Sequence, residues 1–260
     1  MFKVSSADGT TIAYDRSGSG AAVILVGGAL CDRASTAPLA QQLSKHFTVV
    51  SYDRRGRGDS ADTSPYSVAR EVEDLGALIT ALGGTAAVYG HSSAAALVVE
   101  AAAAGLPITK VVLHEPPYGP DDDASQRESD QAGAKVNSLL AQDRRTEAVQ
   151  EFLTMAGMPP AAAADLAAQP GMAEVAPTLA YDFAVMDSAG PGGRIPFGLL
   201  AKVTQPALAV CGSASPPFMI DSARAVAKAL PGGRLVELEG RHHVVPPEVL
   251  APVLTEFFEA

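Results

Sequence analysis

Val88-Tyr89-Gly90-His91-Ser92-Ser93-Ala94-Ala95 joins a short apolar run, Ala86 to Tyr89, to an alanine-rich run, Ala94 to Ala104. The first has the length and composition of a buried strand, the second those of a helix. Gly90, Ser92 and Ala94 fall at the positions of a G-x-S-x-G turn, where strand hands over to helix with the serine in a strained backbone conformation. Small neighbours two residues to either side keep that turn free of clashes, and Ala94 in place of a second glycine is a tolerable departure. The turn lifts the Ser92 hydroxyl above the sheet edge and aims the helix N-terminus at negative charge developing there. A five-residue match is weak alone, so its meaning depends on what surrounds it.

Outward from this stretch the chain alternates between strand-like and helix-like runs. Phe2 to Ser6 and Thr11 to Tyr14 predict a hairpin around Asp8-Gly9. Ala21 to Val26 is a continuous apolar run of the kind buried on both faces of a parallel sheet, and it ends in Gly27-Gly28-Ala29-Leu30. A helix is expected over Thr36 to Lys45, a strand over Phe47 to Tyr52, then Asp53-Arg54-Arg55-Gly56-Arg57-Gly58-Asp59-Ser60. Val72, Leu75, Leu78, Ile79 and Leu82 recur at helical spacing between Val68 and Leu82, and Gly83-Gly84 stops that helix. Ile108 to Leu113 is a further buried strand, closing on His114-Glu115-Pro116-Pro117. Pro206 to Val210 and Arg234 to Leu238 read as the last two strands, with helices over Phe218 to Leu230 and Pro247 to Phe258. This alternation predicts an α/β fold with helices on both faces of a mostly parallel sheet.

Between Tyr118 and Ile195 the alternation stops. That segment carries an acidic run (Asp121, Asp122, Asp123), one helical pattern over Ser138 to Met155, and Pro and Gly punctuation at Pro159-Pro160, Pro170-Gly171, Pro177 and Pro191-Gly192-Gly193. It predicts a helical cap, residues 118–195, inserted into a core made of residues 1–117 and 196–260.

At 260 residues and 47% apolar, the chain suits one large globular domain carrying an insertion. A formal charge of −10 disfavours nucleic acid and anionic membranes as partners, because phosphate binding needs clustered Lys and Arg. The one tight basic cluster, Arg54, Arg55 and Arg57, is flanked by Asp53 and Asp59 and reads as structural. No secretory signal is visible at Met1-Phe2-Lys3-Val4, and Ala94 to Ala104, interrupted by Glu100, is too short to span a bilayer. Cys31 and Cys211 make no disulfide framework and fit a reducing, cytoplasmic setting. No metal motif is present, and neither metal nor cofactor is expected.

A nucleophilic serine needs a base to take its proton and an acid to orient that base. Five histidines are available. His46 precedes a strand at the far end of the sheet. His91 adjoins Ser92 with its ring expected to point away from the hydroxyl. His242 and His243 follow the last strand, at the sheet edge where sites of open α/β folds assemble.

Four features together resemble the α/β-hydrolase fold family over essentially the whole chain: the Gly90-to-Ala94 elbow, the Asp53-to-Ser60 segment, the Gly27-Gly28 turn and the late histidine. The resemblance implies an eight-stranded sheet and the chain order nucleophile, acid, histidine. It favours His243 as the base, three residues past Gly240, with His242 as the alternative. It implies an oxyanion hole of two backbone N–H groups, those of Ala29 and Ser93. Here Gly27-Gly28 stands where relatives usually have His-Gly.

Most relatives place the acid where this chain has Ser215, and a serine carries no negative charge. Some members, including haloalkane dehalogenases and a group of fungal lactone hydrolases, take the acid from the end of the sixth strand instead. Glu115 stands there, within a His-Glu-x-Pro segment similar to that of the lactone hydrolases. Asp221 is a weaker candidate, and the bland alternative for Glu115 is an ion pair with Arg55 or a loop amide. Leu30 and Cys31 are expected to border the pocket, with Phe152, Met155, Tyr181 and Met186 of the cap as apolar lining; Met158 and Phe183 belong to the same set. The implied function is cofactor-free hydrolysis of a small apolar ester or lactone. C–C bond hydrolysis or perhydrolysis at the same site, or a non-hydrolytic binder or lyase on the same fold, are the rivals. Homodimer formation is left open.

Overall fold

In the computed structural model, which describes residues 1–120, 122–190 and 192–260, the first half of the chain runs β1 (Phe2–Ser5), β2 (Thr11–Ser17), β3 (Ala22–Val26), α1 (Arg33–Leu43), β4 (Thr48–Tyr52), α2 (Val68–Ala81), β5 (Ala86–His91), α3 (Ser93–Ala103) and β6 (Ile108–His114). Between β6 and β7 the 118–195 segment holds α4 (Asp123–Ala141), α5 (Arg145–Met155), α6 (Pro160–Ala167), α7 (Met172–Val175) and α8 (Leu179–Met186), with α9 (Phe197–Leu200) just after it. The chain closes with β7 (Ala207–Gly212), α10 (Pro217–Ala229), β8 (Gly233–Leu238) and α11 (Pro247–Glu259). Asp121 of the acidic run and Pro191 of the last Pro-Gly turn lie outside the described residues.

The strands form one eight-stranded sheet in the order β1-β2-β4-β3-β5-β6-β7-β8. The β1–β2 and β2–β4 pairings are antiparallel and all others parallel. Side chains alternate across the pleat, so each apolar strand feeds two cores. In β3, Ile24 and Val26 pack with Leu75 and Leu78 of α2 and Leu97 and Val98 of α3. Val23 and Leu25 face Leu39 and Leu43 of α1 and Leu254 and Phe257 of α11. Covering both faces makes the continuous apolar runs obligatory and puts the Ser92 turn near the middle of the sheet, where β5 ends between β3 and β6.

Three elements depart from the sequence reading. Helix α1 begins at Arg33 rather than Thr36, because the Asp32 carboxylate accepts the Ser35 N–H and caps it. Strand β2 runs on to Ser17, since Tyr14 to Ser17 pair with Val49 to Tyr52 of β4, a long-range partner with no local signal. The helical pattern over Ser138 to Met155 is two helices, not one. The break comes at Gln142 to Arg144, where Asp143 takes a φ of +55°, a conformation aspartate tolerates better than most residues. Both pieces still bury their apolar faces, with Val136, Leu139, Val149 and Leu153 packed around Leu179.

Among the described residues the 118–195 segment holds helices and no strand, and no helix of the chain is long and apolar enough to cross a membrane. Nor, among them, is any group of three His, Cys, Asp or Glu side chains placed to hold a metal ion. Both cysteines are free thiols.

Candidate active site

Ser92 has φ +57° and ψ −130° at the junction of β5 and α3. Its N–H donates to the His114 carbonyl at 2.8 Å, which anchors the turn to the end of β6. A Cβ at Gly90 would stand 2.5 Å from the Ala94 carbonyl oxygen and 2.8 Å from Val98 Cγ2. The start of α3 therefore lies directly on the strand end, which is why both flanking positions carry small residues. Four non-glycine residues among those described have positive φ, and three of them follow neighbouring strands at this edge: Ser92 and Glu115 directly after β5 and β6, and Leu30 in the turn after β3. Backbone strain of that kind costs of order 1–3 kcal/mol per residue and gathers at functional sites.

Glu115 follows β6 directly and is fully buried. Its Oε2 lies 2.5 Å from His243 Nδ1. Its Oε1 accepts the Gly212 N–H at 2.7 Å and the Ser215 hydroxyl at 2.6 Å. Burial pushes the carboxyl pKa up. The hydrogen bonds from His243, Gly212 and Ser215 outweigh it and hold the group below the ordinary value of 4.5. The Arg55 alternative does not apply, because that guanidinium is committed to Asp74 and Asp8. Asp221 is exposed within α10, beside Arg224.

Ser215, the position the resemblance assigns to the acid, instead donates its hydroxyl to the Glu115 carboxylate. Ser215→Ala deletes a buried hydrogen bond to a charged group, worth about 1.5–3 kcal/mol, and is expected to lower the urea midpoint while leaving an active site. A carboxylate with a depressed folded pKa stabilises the fold above its unfolded pKa and loses that contribution as pH falls through the folded value. Without the Ser215 donor the folded pKa rises toward 4.5, so acid unfolding followed by circular dichroism should begin at higher pH in the variant.

His243 is half-buried, whereas His242 is exposed to solvent. A His243 ring that gives an Nδ1–H to Glu115 has Nε2 left to meet the serine, and that nitrogen has no hydrogen bond among the described residues. His91 Nε2–H donates to the His243 carbonyl at 3.0 Å, and the two rings lie 4.5 Å apart. Because His91 immediately precedes Ser92, this contact sets the His243 loop beside the elbow. Burial, reinforced by His243, pushes the His91 pKa down to about 4, so its ring stays neutral. Behind it stands His114, its ring 4.9 Å from that of His91 and its Nδ1 2.7 Å from the Tyr89 hydroxyl. The packing of His91 on His243 was not legible from the expectation that His91 points away. His46 is exposed beside Glu259, at the other end of the sheet.

The loop after β3 meets the elbow at Gly28. A Cβ there would sit 2.9 Å from Ser92 Cβ and 2.8 Å from the His91 carbonyl oxygen. The Cys31 N–H closes a tight turn onto the Gly28 carbonyl at 3.3 Å, with Leu30 at φ +60°. Of the two residues implied as oxyanion donors, Ser93 follows Ser92 directly and Ala29 follows Gly28, the residue packed on Ser92. Gly28→Ala should cost about 1–3 kcal/mol through overpacking and reduce any serine reactivity. Urea unfolding and active-site labelling of the variant measure the two effects.

Leu30 and Phe152 pack against the apolar cluster of the insertion, as do Ala29, Met158 and Phe183. Phe152 meets Phe183 edge-on at 6.0 Å. Cys31 stays beside the turn, where burial raises its thiol pKa. Met155 is half-buried at the end of α5. Met186 packs on the α2–α3 side of the sheet. Tyr181 does not line this region: its ring stacks on Tyr66 at 3.8 Å and its hydroxyl donates to Asp62 at 2.6 Å.

A serine on a strained strand-to-helix turn and a histidine oriented by a buried carboxylate are parts that can together open an acyl or similarly activated carbon centre. A sequence profile of the alpha/beta hydrolase family matches residues 17–253. Among solved structures, an alpha/beta hydrolase from Sphaerobacter thermophilus is 48% identical, with a TM-score of 0.89 over 99% of this chain and 100% of the other. An esterase from Exiguobacterium antarcticum (18% identity, TM-score 0.77, 99% of each chain) shares the fold. So does an enol-lactonase from Burkholderia xenovorans (20% identity, TM-score 0.70, 99% of this chain and 100% of the other).

Proposed function

The chain belongs to the alpha/beta hydrolase family, and from that premise we propose that it is a serine hydrolase cleaving a carboxylic ester or lactone of a small, largely apolar substrate. The observation that carries the reading is the 2.5 Å contact between His243 Nδ1 and a buried Glu115, set beside a serine at φ +57°. Ser92 Oγ attacks the substrate carbonyl while His243 Nε2 takes its proton. The Ala29 and Ser93 N–H groups receive the oxyanion. The imidazolium, facing the Glu115 carboxylate, returns the proton to the departing alkoxide oxygen. Water then attacks the acyl-enzyme by the same steps in reverse, releasing the acid.

The apolar preference rests on Leu30, Phe152 and Phe183, which join the turn after β3 to the core of the insertion, read here as a cap over the site. A panel of aryl esters and lactones of graded acyl length tests the proposal. Turnover that rises with apolar acyl groups is expected; a chain that opens no ester or lactone on the panel refutes it.

A further inference from the structure

The proposed mechanism leaves unused a buried charge cluster that reaches both sides of the oxyanion hole. Arg57 Nη1 donates to the Gly28 carbonyl at 2.6 Å and to the Cys31 carbonyl at 3.3 Å, and its Nη2 donates to Asp182 Oδ2 at 2.7 Å. The other oxygen of Asp182 accepts the Ser93 hydroxyl at 2.7 Å and Arg54 Nη1 at 2.6 Å. Arg54 in turn pairs through two 2.6 Å hydrogen bonds with Glu71, which also accepts from the Tyr66 hydroxyl. Arg54, Arg57, Glu71, Asp182 and Ser93 are all buried. Burial pushes the pKa of Asp182 up, and Arg57 and Arg54 outweigh it, leaving the group below the usual carboxylate range.

The Gly28 carbonyl and the Ala29 N–H belong to one peptide unit. In a trans peptide the two point in opposite directions, so the group that holds the carbonyl also aims the N–H. A charge-assisted donor on the carbonyl polarises the peptide as well, making the N–H on its other side a stronger donor. Ser93 contributes the second N–H, and its side chain hangs from the same carboxylate that holds Arg57. We infer that Arg57, held by Asp182 of the insertion helix α8, is a positioning residue that aims the Ala29 and Ser93 N–H groups into one oxyanion hole. The hole is complete only with α8 docked, which ties catalysis to the seating of the insertion.

Arg54 gives all its donors to carboxylates, and Arg55 gives its own to Asp74, Asp8 and one carbonyl within α2, that of Arg70. Arg57 instead gives Nη1 to two carbonyls of the turn beside Ser92, and its buried Nε has no partner among the described residues. This inference rests on the hydrolase reading above, so its test includes a readout independent of turnover. The variants are Arg57→Met, Arg57→Lys and the double variant Arg57→Met with Asp182→Asn, which removes both charges together in case the single change fails to fold. Arg55→Met is the control: its guanidinium is equally buried on Asp74 but does not touch the turn.

For ester hydrolysis per folded molecule, kcat is expected to fall about 10–100-fold in Arg57→Met and the double variant, with KM changing little, since one lost oxyanion donor removes about 10²–10³ in kcat. Affinity for an alkyl boronic acid, whose serine adduct places a hydroxyl in the hole, should fall in step. Arg57→Lys should recover part of the loss, and Arg55→Met should lose stability but not kcat. Independently, the Ala29 amide resonance should move and broaden in Arg57→Met and stay in place in Arg55→Met. An unmoved Ala29 amide, or kcat unchanged in folded Arg57 variants, overturns the inference. If the parent hydrolyses no ester, the hydrolase reading fails, and the Ala29 resonance still decides whether Arg57 holds that peptide.

Discussion

Ser92→Ala is expected to lower kcat for any ester the parent cleaves by about 10⁴–10⁶-fold, with KM within a few-fold of the parent. The substitution removes one oxygen and nothing that supports the fold. Ser92 makes no side-chain cap to α3, and its place in the turn is fixed by its own N–H on the His114 carbonyl. Alanine is no worse suited than serine to a φ of +57°, so the variant should melt close to the parent. Steady-state kinetics together with a thermal melt separate lost chemistry from lost folding. The residual rate comes from binding and from the Ala29 and Ser93 N–H groups, which remain. Retention of parental kcat would mean that another group opens the ester.

Glu115→Gln is the second large effect, with kcat falling about 10⁴-fold near neutral pH. The amide keeps the size of the side chain, and its oxygen still accepts from Gly212 and Ser215. Its NH2 then faces His243 Nδ1 and requires that nitrogen to be an acceptor. The ring proton moves to Nε2, the nitrogen that should take the Ser92 proton. The loss is thus one of tautomer and of charge facing the imidazolium, with the contacts otherwise preserved. In the parent, Glu115 is held below 4.5, so it is charged across the neutral range, and the defect should appear across that range. Ser215→Ala, by contrast, keeps the carboxylate and the tautomer, and should retain most of the activity. The reverse ranking would place the acid elsewhere.

Much of the sheet was legible because each strand carries its own signal. Runs such as Ala22–Val26 and Ala207–Gly212 are apolar throughout, being covered on both faces. The elbow was legible for the same local reason: the constraint at Gly90 and Ala94 acts within one turn of chain. Glu115 and His243 follow recognisable strand ends, and the family resemblance singles them out there, although 128 positions separate them.

What escaped the sequence depends on partners far apart in the chain. Arg57 meets Asp182 across 125 positions and Ser93 meets Asp182 across 89. Neither residue sits in a pattern that distinguishes it from an ordinary surface charge or turn serine. In sequence the basic cluster after β4 is indistinguishable from a structural one, and Arg55 on Asp74 is that, whereas Arg57 reaches the turn beside Ser92. Tyr181 misleads for the opposite reason. An apolar ring in a helical stretch looks like pocket lining until Tyr66 is found stacked on it.

The central claim is that Ser92, His243 and Glu115 act as one nucleophilic unit, and fluorophosphonate labelling tests it most directly because it needs no knowledge of the substrate. Intact-mass spectrometry and peptide mapping of the parent should show a single adduct, on Ser92. Its formation should be slower by roughly 10³-fold or more in Glu115→Gln. No adduct on Ser92 in the parent, or equal labelling rates in parent and variant, would contradict the account.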